Sequence, residues 1–306
     1  MSALAFLFLA VLRCDSAREY NESEAIIHMQ LARVAFCTES AIESWTCGDM
    51  CDAIDPRPLQ VRYLPRGTWW SVQGYVARLQ ENHCVLSFRG SVDVKNWAAD
   101  LIALPRPWPW NATSWCEDCK AHAGFAHAYN ELRSSVLEGL QDFNCRSVAV
   151  VGHSLGGGIA TLAALDLRDN LAMNVHPVYT FGSPRVGNDA LVNAFEKSAR
   201  RGSNAPAQWR VVHYHDPVPH LPPMMGFGYA HTPTEIFYNA DSSEYRVCDS
   251  RNGEDPTCSA NIRARDLINL DHLDYLNKSF AHRLMDKACT REDSPSKDDA
   301  STVVSV

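Results

Sequence analysis

Ser154 stands in Gly152-His153-Ser154-Leu155-Gly156, a G-x-S-x-G pattern, and it is the residue through which this sequence offers covalent chemistry. Serine is a weak nucleophile at neutral pH and needs a base beside it. Histidine fits that task because its ordinary pKa lies near neutrality. A carboxylate must then orient the imidazole and stabilise it once protonated. Three acids follow at workable distances: Asp166, Asp189 and Asp216. Asp166 belongs to the helix after the serine, and Asp189 to a helix start where a carboxylate also serves as a cap. Asp216 ends a strand and is braced by Pro217, so it is the acid of choice. Of His220, His231, His272 and His282, His272 lies after the last expected strand and can return on a loop to the serine. An oxyanion hole needs two donors. Leu155, directly after the nucleophile, offers its N–H, and Ser91, beyond the strand Cys84 to Arg89, offers the other.

These residues must be held by strands and helices. Val148 to Val151 reads as a buried strand, and Gly157 to Leu167, rich in Ala and Leu, as a helix. Strand, sharp turn with serine at the apex, and helix is the context of a nucleophile elbow, and Gly152 and Gly156 leave room for backbones to meet there. Further helices are expected over Ser23–Cys37, Phe125–Phe143, Gly187–Ala199 and Asp271–Met285. Further strands are expected over Trp69–Leu79, Cys84–Arg89, Val178–Phe181 and Trp209–Tyr214. Their alternation predicts an α/β fold with a mostly parallel central sheet flanked by helices.

The 306 residues are 46% hydrophobic and 21% charged, as in a globular protein with a substantial core. A formal net charge of −8 without a basic stripe argues against a nucleic-acid partner. No long apolar run after the N-terminus predicts a transmembrane segment. The apolar stretch Ala3–Leu12 reads as a signal peptide over residues 1–17. Setting aside Cys14 leaves ten of the eleven cysteines, an even number that suits an oxidising compartment. Asn21, Asn111 and Asn277 stand in N-glycosylation sequons. The expected location is extracellular, with a lysosome or vacuole as the alternative. The charged, Ser-rich residues 291–306 read as a disordered tail, leaving 18–290 as one catalytic domain.

Two stretches admit more than one reading. In Gly90 to Trp110, Val94, Trp97 and Leu101 share a helical face, and a Pro-Trp run follows. It is either a loop packed on the core or a lid over the site. Cys116-Glu-Asp-Cys119 has a redox-like spacing, but it does not sit at the head of a helix after a strand. A structural bridge is favoured, with a zinc site shared with Cys47 and Cys51 as the alternative.

Several segments together resemble the class 3 lipases, the fungal-type triacylglycerol lipases and their esterase relatives. They are Val85-Leu-Ser-Phe-Arg-Gly-Ser91, Asn96-Trp97, Gly124-Phe125, the elbow, Thr180-Phe-Gly-Ser-Pro-Arg-Val-Gly187, Asp216-Pro-Val-Pro-His-Leu-Pro-Pro223 and His272-Leu273. The likeness runs from about Ser23 to Cys289. It implies an α/β-hydrolase fold and a triad of Ser154 as nucleophile, Asp216 as orienting acid and His272 as general base. Ser91 and Leu155 would be the oxyanion residues. Ser91 onward would be a lid, within about 91–110, with Val94, Trp97 and Leu101 on its apolar face. No metal or other cofactor is implied. The resemblance also suggests bridges Cys37–Cys289, Cys47–Cys51 and Cys116–Cys119. The remaining four cysteines pair most simply as Cys248–Cys258 and Cys84–Cys145. The substrate would be a lipid ester met at a lipid–water interface. Phospholipases and feruloyl-type carboxylesterases share this triad, so either is the alternative. A non-catalytic lipid-binding protein would have lost a triad residue, and none is lost here.

Overall fold

A computed structural model describes residues 19–65, 71–91, 104–108, 116–199, 208–249, 253–268, 270–281, 285 and 289. The signal-peptide stretch, the tail, Val94, Trp97, Leu101, Asn111 and His282 lie outside these residues. Among the described residues, no helix is long and apolar enough to cross a membrane.

The chain opens with α1 (Glu22–Val34), followed by short α2 (Glu39–Glu43) and α3 (Gly48–Asp52). Asn21 caps α1: its side-chain oxygen accepts from the N–H of Glu24 at 3.0 Å. Strands β1 (Gln60–Leu64), β2 (Gly74–Gln80) and β3 (His83–Phe88) then form an antiparallel run. Two two-residue strands, β4 (Arg106–Pro107) and β5 (Lys120–Ala121), pair with each other before α4 (Ala123–Asp142). Then come β6 (Ser147–His153), α5 (Leu155–Asp169), β7 (Asn174–Phe181), α6 (Asp189–Ala199), β8 (Gln208–His213), β9 (Glu235–Tyr238) and β10 (Tyr245–Val247).

The main sheet runs β1-β2-β3-β6-β7-β8-β9-β10. Pairing is parallel from β3 through β9 and antiparallel at both edges. This is the expected α/β-hydrolase arrangement. Strand β6 shows why: Val148 and Val150 enter the cluster that holds Phe125 and Leu132 of α4 and Ile159 and Leu162 of α5. Ala149 and Val151 enter the opposite cluster with Leu31, Trp45 and Tyr75. A strand buried on both faces carries no polar alternation. The carboxyl ends of β6, β7 and β8 therefore open at one edge, where α/β sheets build their sites.

One expectation is corrected, and one open reading is narrowed. Asp271–Phe280 is not helical: it is a 3-10 turn at Asp271–Leu273 followed by the hairpin β11 (Asp274–Tyr275) and β12 (Lys278–Ser279), while Met285, at the end of the expected helix, is helical and donates its N–H to the Ala281 carbonyl at 2.9 Å. Leu276 and Asn277 both have positive φ, 53° and 58°, which reverses the chain where a helix would have continued. The Pro-Trp run is in part a packed loop: Arg106–Pro107 is paired as β4, the Trp108 N–H donates to the Cys119 carbonyl at 3.0 Å, and Trp108 is buried in the core.

Disulfides join Cys37–Cys289, Cys47–Cys51, Cys84–Cys145, Cys116–Cys119 and Cys248–Cys258. The zinc alternative falls with them, because Cys47, Cys51, Cys116 and Cys119 are committed to sulfur–sulfur bonds. Glu235 lies with Cys248 and Cys258, but those two sulfurs are likewise bridged and Glu235 pairs with Arg210.

Candidate active site

Ser154 sits between β6 and α5 with φ 59° and ψ −128°, a conformation that L residues rarely adopt. The close packing around it explains its glycines. A Cβ on Gly152 would stand 2.2 Å from the Gly156 carbonyl oxygen, and one on Gly156 the same distance from that of Phe88. The turn thus presses the start of α5 against the end of β3.

The structure brings together the three residues chosen from sequence. The Ser154 Oγ lies 2.8 Å from Nε2 of His272. Nδ1 of His272 lies 3.0 and 2.9 Å from the two carboxylate oxygens of Asp216. A carboxylate only accepts, so Nδ1 carries the hydrogen and Nε2 offers its lone pair to the Ser154 hydroxyl. All three side chains are fully buried. Asp216 ends the loop after β8, and His272 sits on the Asp271–Leu273 turn. The backbone of Asp216 is braced through its own Oδ1, which accepts from the Val218 N–H at 2.8 Å.

The rejected candidates are engaged elsewhere. Asp166 is buried between α4 and α5, accepting from the Tyr129 hydroxyl at 2.6 Å and from Arg133 Nε at 2.8 Å. Asp189 is exposed at the start of α6. His231 Nε2 donates to the Pro219 carbonyl at 2.6 Å, and burial pushes its pKa well below the ordinary histidine value. His220 is likewise pushed down, by burial and then by the nearby Arg185.

Leu155, the first residue of α5, is buried directly after the nucleophile. Ser91 is half-buried just after Gly90. A Cβ on Gly90 would lie 3.0 Å from the Ser154 Cβ, so the end of β3 runs alongside the nucleophile and carries Ser91 to its vicinity.

Three further residues serve the site and escaped the sequence reading. The Tyr275 hydroxyl makes a short hydrogen bond to Asp216 Oδ2, and burial together with that carboxylate pushes its pKa far up, keeping it a donor. Gly182 (φ +57°) lies at the end of β7, where a Cβ would stand 2.8 Å from Asp216 Oδ2 and 3.0 Å from His272 Nδ1. Arg185 donates to the His220 and Pro222 carbonyls at 2.6 and 3.0 Å and pairs with Glu254 at 2.7 and 2.9 Å, fastening the loop after Asp216. Gly182 and Arg185 lie inside the Thr180–Gly187 motif, and Tyr275 lies three residues after His272. Those positions were the only sequence signal.

Comparison with known proteins agrees with this geometry. The family model described as Lipase (class 3) matches residues 85–226. The lipase of Rhizomucor miehei is 33% identical over 274 residues, covering 86% of this chain and 70% of that protein. The secreted mono- and diacylglycerol lipase 1 of Fusarium solani is 34% identical over 205 residues; the match spans 60% of this chain and 54% of that protein, about half its length. Among solved structures, a triacylglycerol lipase described as having a serine-protease triad at its catalytic centre superimposes with a TM-score of 0.72 at 31% identity, over 87% of this chain and 98% of that one. A fungal lipase–inhibitor complex described as a model for interfacial activation gives 0.69 at 31% identity, over 86% and 98%. The chain belongs to the class 3 lipase family of α/β-hydrolase-fold carboxylic ester hydrolases.

Proposed function

We propose that the chain is a secreted acylglycerol lipase working through an acyl-enzyme on Ser154, within a catalytic domain spanning about residues 18–290. The observation that carries this reading is the continuous chain of contacts from the Ser154 Oγ through both His272 nitrogens to Asp216. His272 Nε2 takes the Ser154 proton as the Oγ attacks the ester carbonyl carbon. The resulting oxyanion meets the N–H groups of Leu155 and Ser91. Collapse breaks the ester C–O bond, and His272 returns the proton to the leaving alcohol. A water then attacks the acyl-enzyme, giving its proton to His272. The second collapse restores the Ser154 hydroxyl and releases the fatty acid. Asp216 holds the imidazole in the Nδ1–H tautomer and offsets its charge when protonated.

An acylglycerol substrate is supported by the names of the relatives, which include mono- and diacylglycerol lipases and a triacylglycerol lipase. A lid within residues 91–110, carrying Val94, Trp97 and Leu101, would admit the acyl chain at a lipid–water interface; the exposed Leu104 at its C-terminal side suits that role. Secretion is supported by the ten bridged cysteines and by relatives named as secreted. Asn21 and Asn277 are exposed, as glycan acceptors must be, and Asn111 completes the proposed set. The test is a panel of tributyrin, monoolein, phosphatidylcholine and methyl ferulate, run on the wild type and on Ser154→Ala. Turnover of the glycerides, absent from Ser154→Ala, is expected. Turnover confined to phosphatidylcholine or methyl ferulate would replace the acylglycerol with that ester.

A further inference from the structure

We propose that His153, the residue before the nucleophile, is a positioning residue whose ring and Nε2–H set the height and tilt of the His272 imidazole over Ser154. The inference rests on the reading of His272 as the base.

His153 is buried at the end of β6. Its Nε2 lies 2.9 Å from the backbone carbonyl oxygen of His272. A carbonyl only accepts, so that nitrogen carries the hydrogen and the tautomer is fixed. The other nitrogen, Nδ1, is buried without a hydrogen-bond partner, as expected for a bare lone pair. The His153 ring lies against the His272 ring, with centroids 4.7 Å apart and planes at 30°. It also stacks on Phe280 at 3.9 Å and 9°. His153 is therefore joined covalently to the nucleophile and by hydrogen bond and ring contact to the base. A phenylalanine would fill the same slot between the two rings, but it would leave the His272 carbonyl without its donor.

The charge state of His153 suits this task. Burial, and then the neighbouring His272, push its pKa well below the ordinary histidine value. The groups facing it are His272, the Tyr275 ring with its centroid 5.7 Å away, and the uncharged Phe36 and Phe280 rings. Tyr275 keeps its proton because its own pKa is raised. When His272 becomes an imidazolium, the ring lying on it is thus neutral and does not repel it.

Two variants separate positioning from packing. His153→Phe keeps the ring and deletes the donor; His153→Gln keeps a donor of comparable reach and deletes the ring. kcat and KM for p-nitrophenyl butyrate are measured with melting temperature and with the low-field proton resonance of the His272–Asp216 hydrogen bond. His153→Phe is expected to lose about 10- to 100-fold in kcat, the scale of a misplaced catalytic group, with KM within about twofold. Its low-field resonance should shift, and His153→Gln should recover most of kcat. Retention of kcat by His153→Phe, or an equal fall in both variants that tracks melting temperature, overturns the proposal. Should His153→Phe fail to fold, nitrogen-15 histidine spectra of the wild type decide. His153, assigned by its contact with Phe280, should stay a neutral Nε2–H tautomer as pH falls through the ordinary histidine value, because burial holds its pKa well below that value; a His153 that titrates at the ordinary value, or an Nδ1–H His153, overturns it. Ser154→Ala in the same assay isolates the underlying reading. If it is active, the site assignment fails; if it is silent while His153→Phe is normal, the His153 inference alone fails.

Discussion

The Tyr275 hydroxyl donates to Oδ2 of Asp216, from a position three residues after His272. One short stretch, the Asp271–Leu273 turn and the strand after it, therefore supplies both His272 and a second donor to the Asp216 carboxylate. The carboxylate is gripped on three sides: by His272 Nδ1, by Tyr275 and by the Val218 N–H. Strong orientation of the acid follows, because a buried charge must be satisfied by donors or it is expelled.

Tyr275→Phe removes one of these donors without changing the ring. A hydrogen bond to a charged group contributes about 1.5–3 kcal/mol. The expected outcome is a fall of about tenfold in kcat with KM nearly unchanged, and a stability loss of about 1–2 kcal/mol in urea unfolding. Unchanged kcat would mean that His272 and the Val218 N–H suffice to hold Asp216.

Gly182→Ala places a methyl group against Asp216 Oδ2, His272 Nδ1 and the Tyr275 hydroxyl, and at φ +57° it strains the backbone too. Left-handed conformation alone costs about 1–2 kcal/mol for a residue with a Cβ. The variant should lose about 100-fold or more in kcat while still melting cooperatively, since a 1 Å displacement of catalytic groups has effects of that size. Activity with p-nitrophenyl butyrate and a calorimetric scan check both halves.

Glu235→Ala leaves Arg210 buried and unpaired. The pair is 2.7 Å apart with both side chains almost fully buried. Breaking such a pair costs about 3–5 kcal/mol. Stability should fall by that amount, measured by urea unfolding, whereas activity per folded molecule should hold, because the pair lies outside the triad.

Stability should also decline on acidification below about pH 6.5. His153 and His231 have pKa values held well below the ordinary histidine value, chiefly by burial, and His83 and His220 are shifted the same way. Their unfolded forms bind protons that the folded forms refuse. The unfolded state is therefore favoured as pH falls from the unfolded pKa of about 6.5 toward each folded value. Asp274, raised by burial, works in the opposite sense at lower pH: it binds a proton more readily when folded. His231→Gln, which keeps a donor to the Pro219 carbonyl, should flatten the dependence of melting temperature on pH between about 5 and 6.5. One such histidine contributes up to about 1.4 kcal/mol per pH unit.

The elbow was legible because its requirements are local: a buried strand, two glycines that no larger residue replaces, and a helix start. Asp216 was legible because it ends a strand and is followed by proline. The C-terminal stretch misled for a physical reason. Leu273, Leu276 and Phe280 recur at helical spacing, yet positive φ at Leu276 and Asn277 turns them into a hairpin. Strand β9 was missed because its apolar run, Ile236–Tyr238, is only three residues long and opens on Glu235, whose burial is made tolerable by the distant Arg210 and the Ser259 N–H. Tyr275, Gly182 and His153 acquire their roles from contacts across more than 30 residues, to Asp216 and His272, which no local pattern encodes.

The most direct test of the central assignment is covalent labelling of the nucleophile. A p-nitrophenyl alkylphosphonate transfers its phosphorus to an activated serine hydroxyl, releases p-nitrophenol and stops there. Mass spectrometry of the inactivated wild type should find one adduct, on the peptide that contains Ser154, formed in step with loss of ester hydrolysis. Ser154→Ala and His272→Ala should take up no label on the same timescale. Label on another serine, or continued hydrolysis by fully labelled protein, would contradict the assignment of Ser154 as the nucleophile.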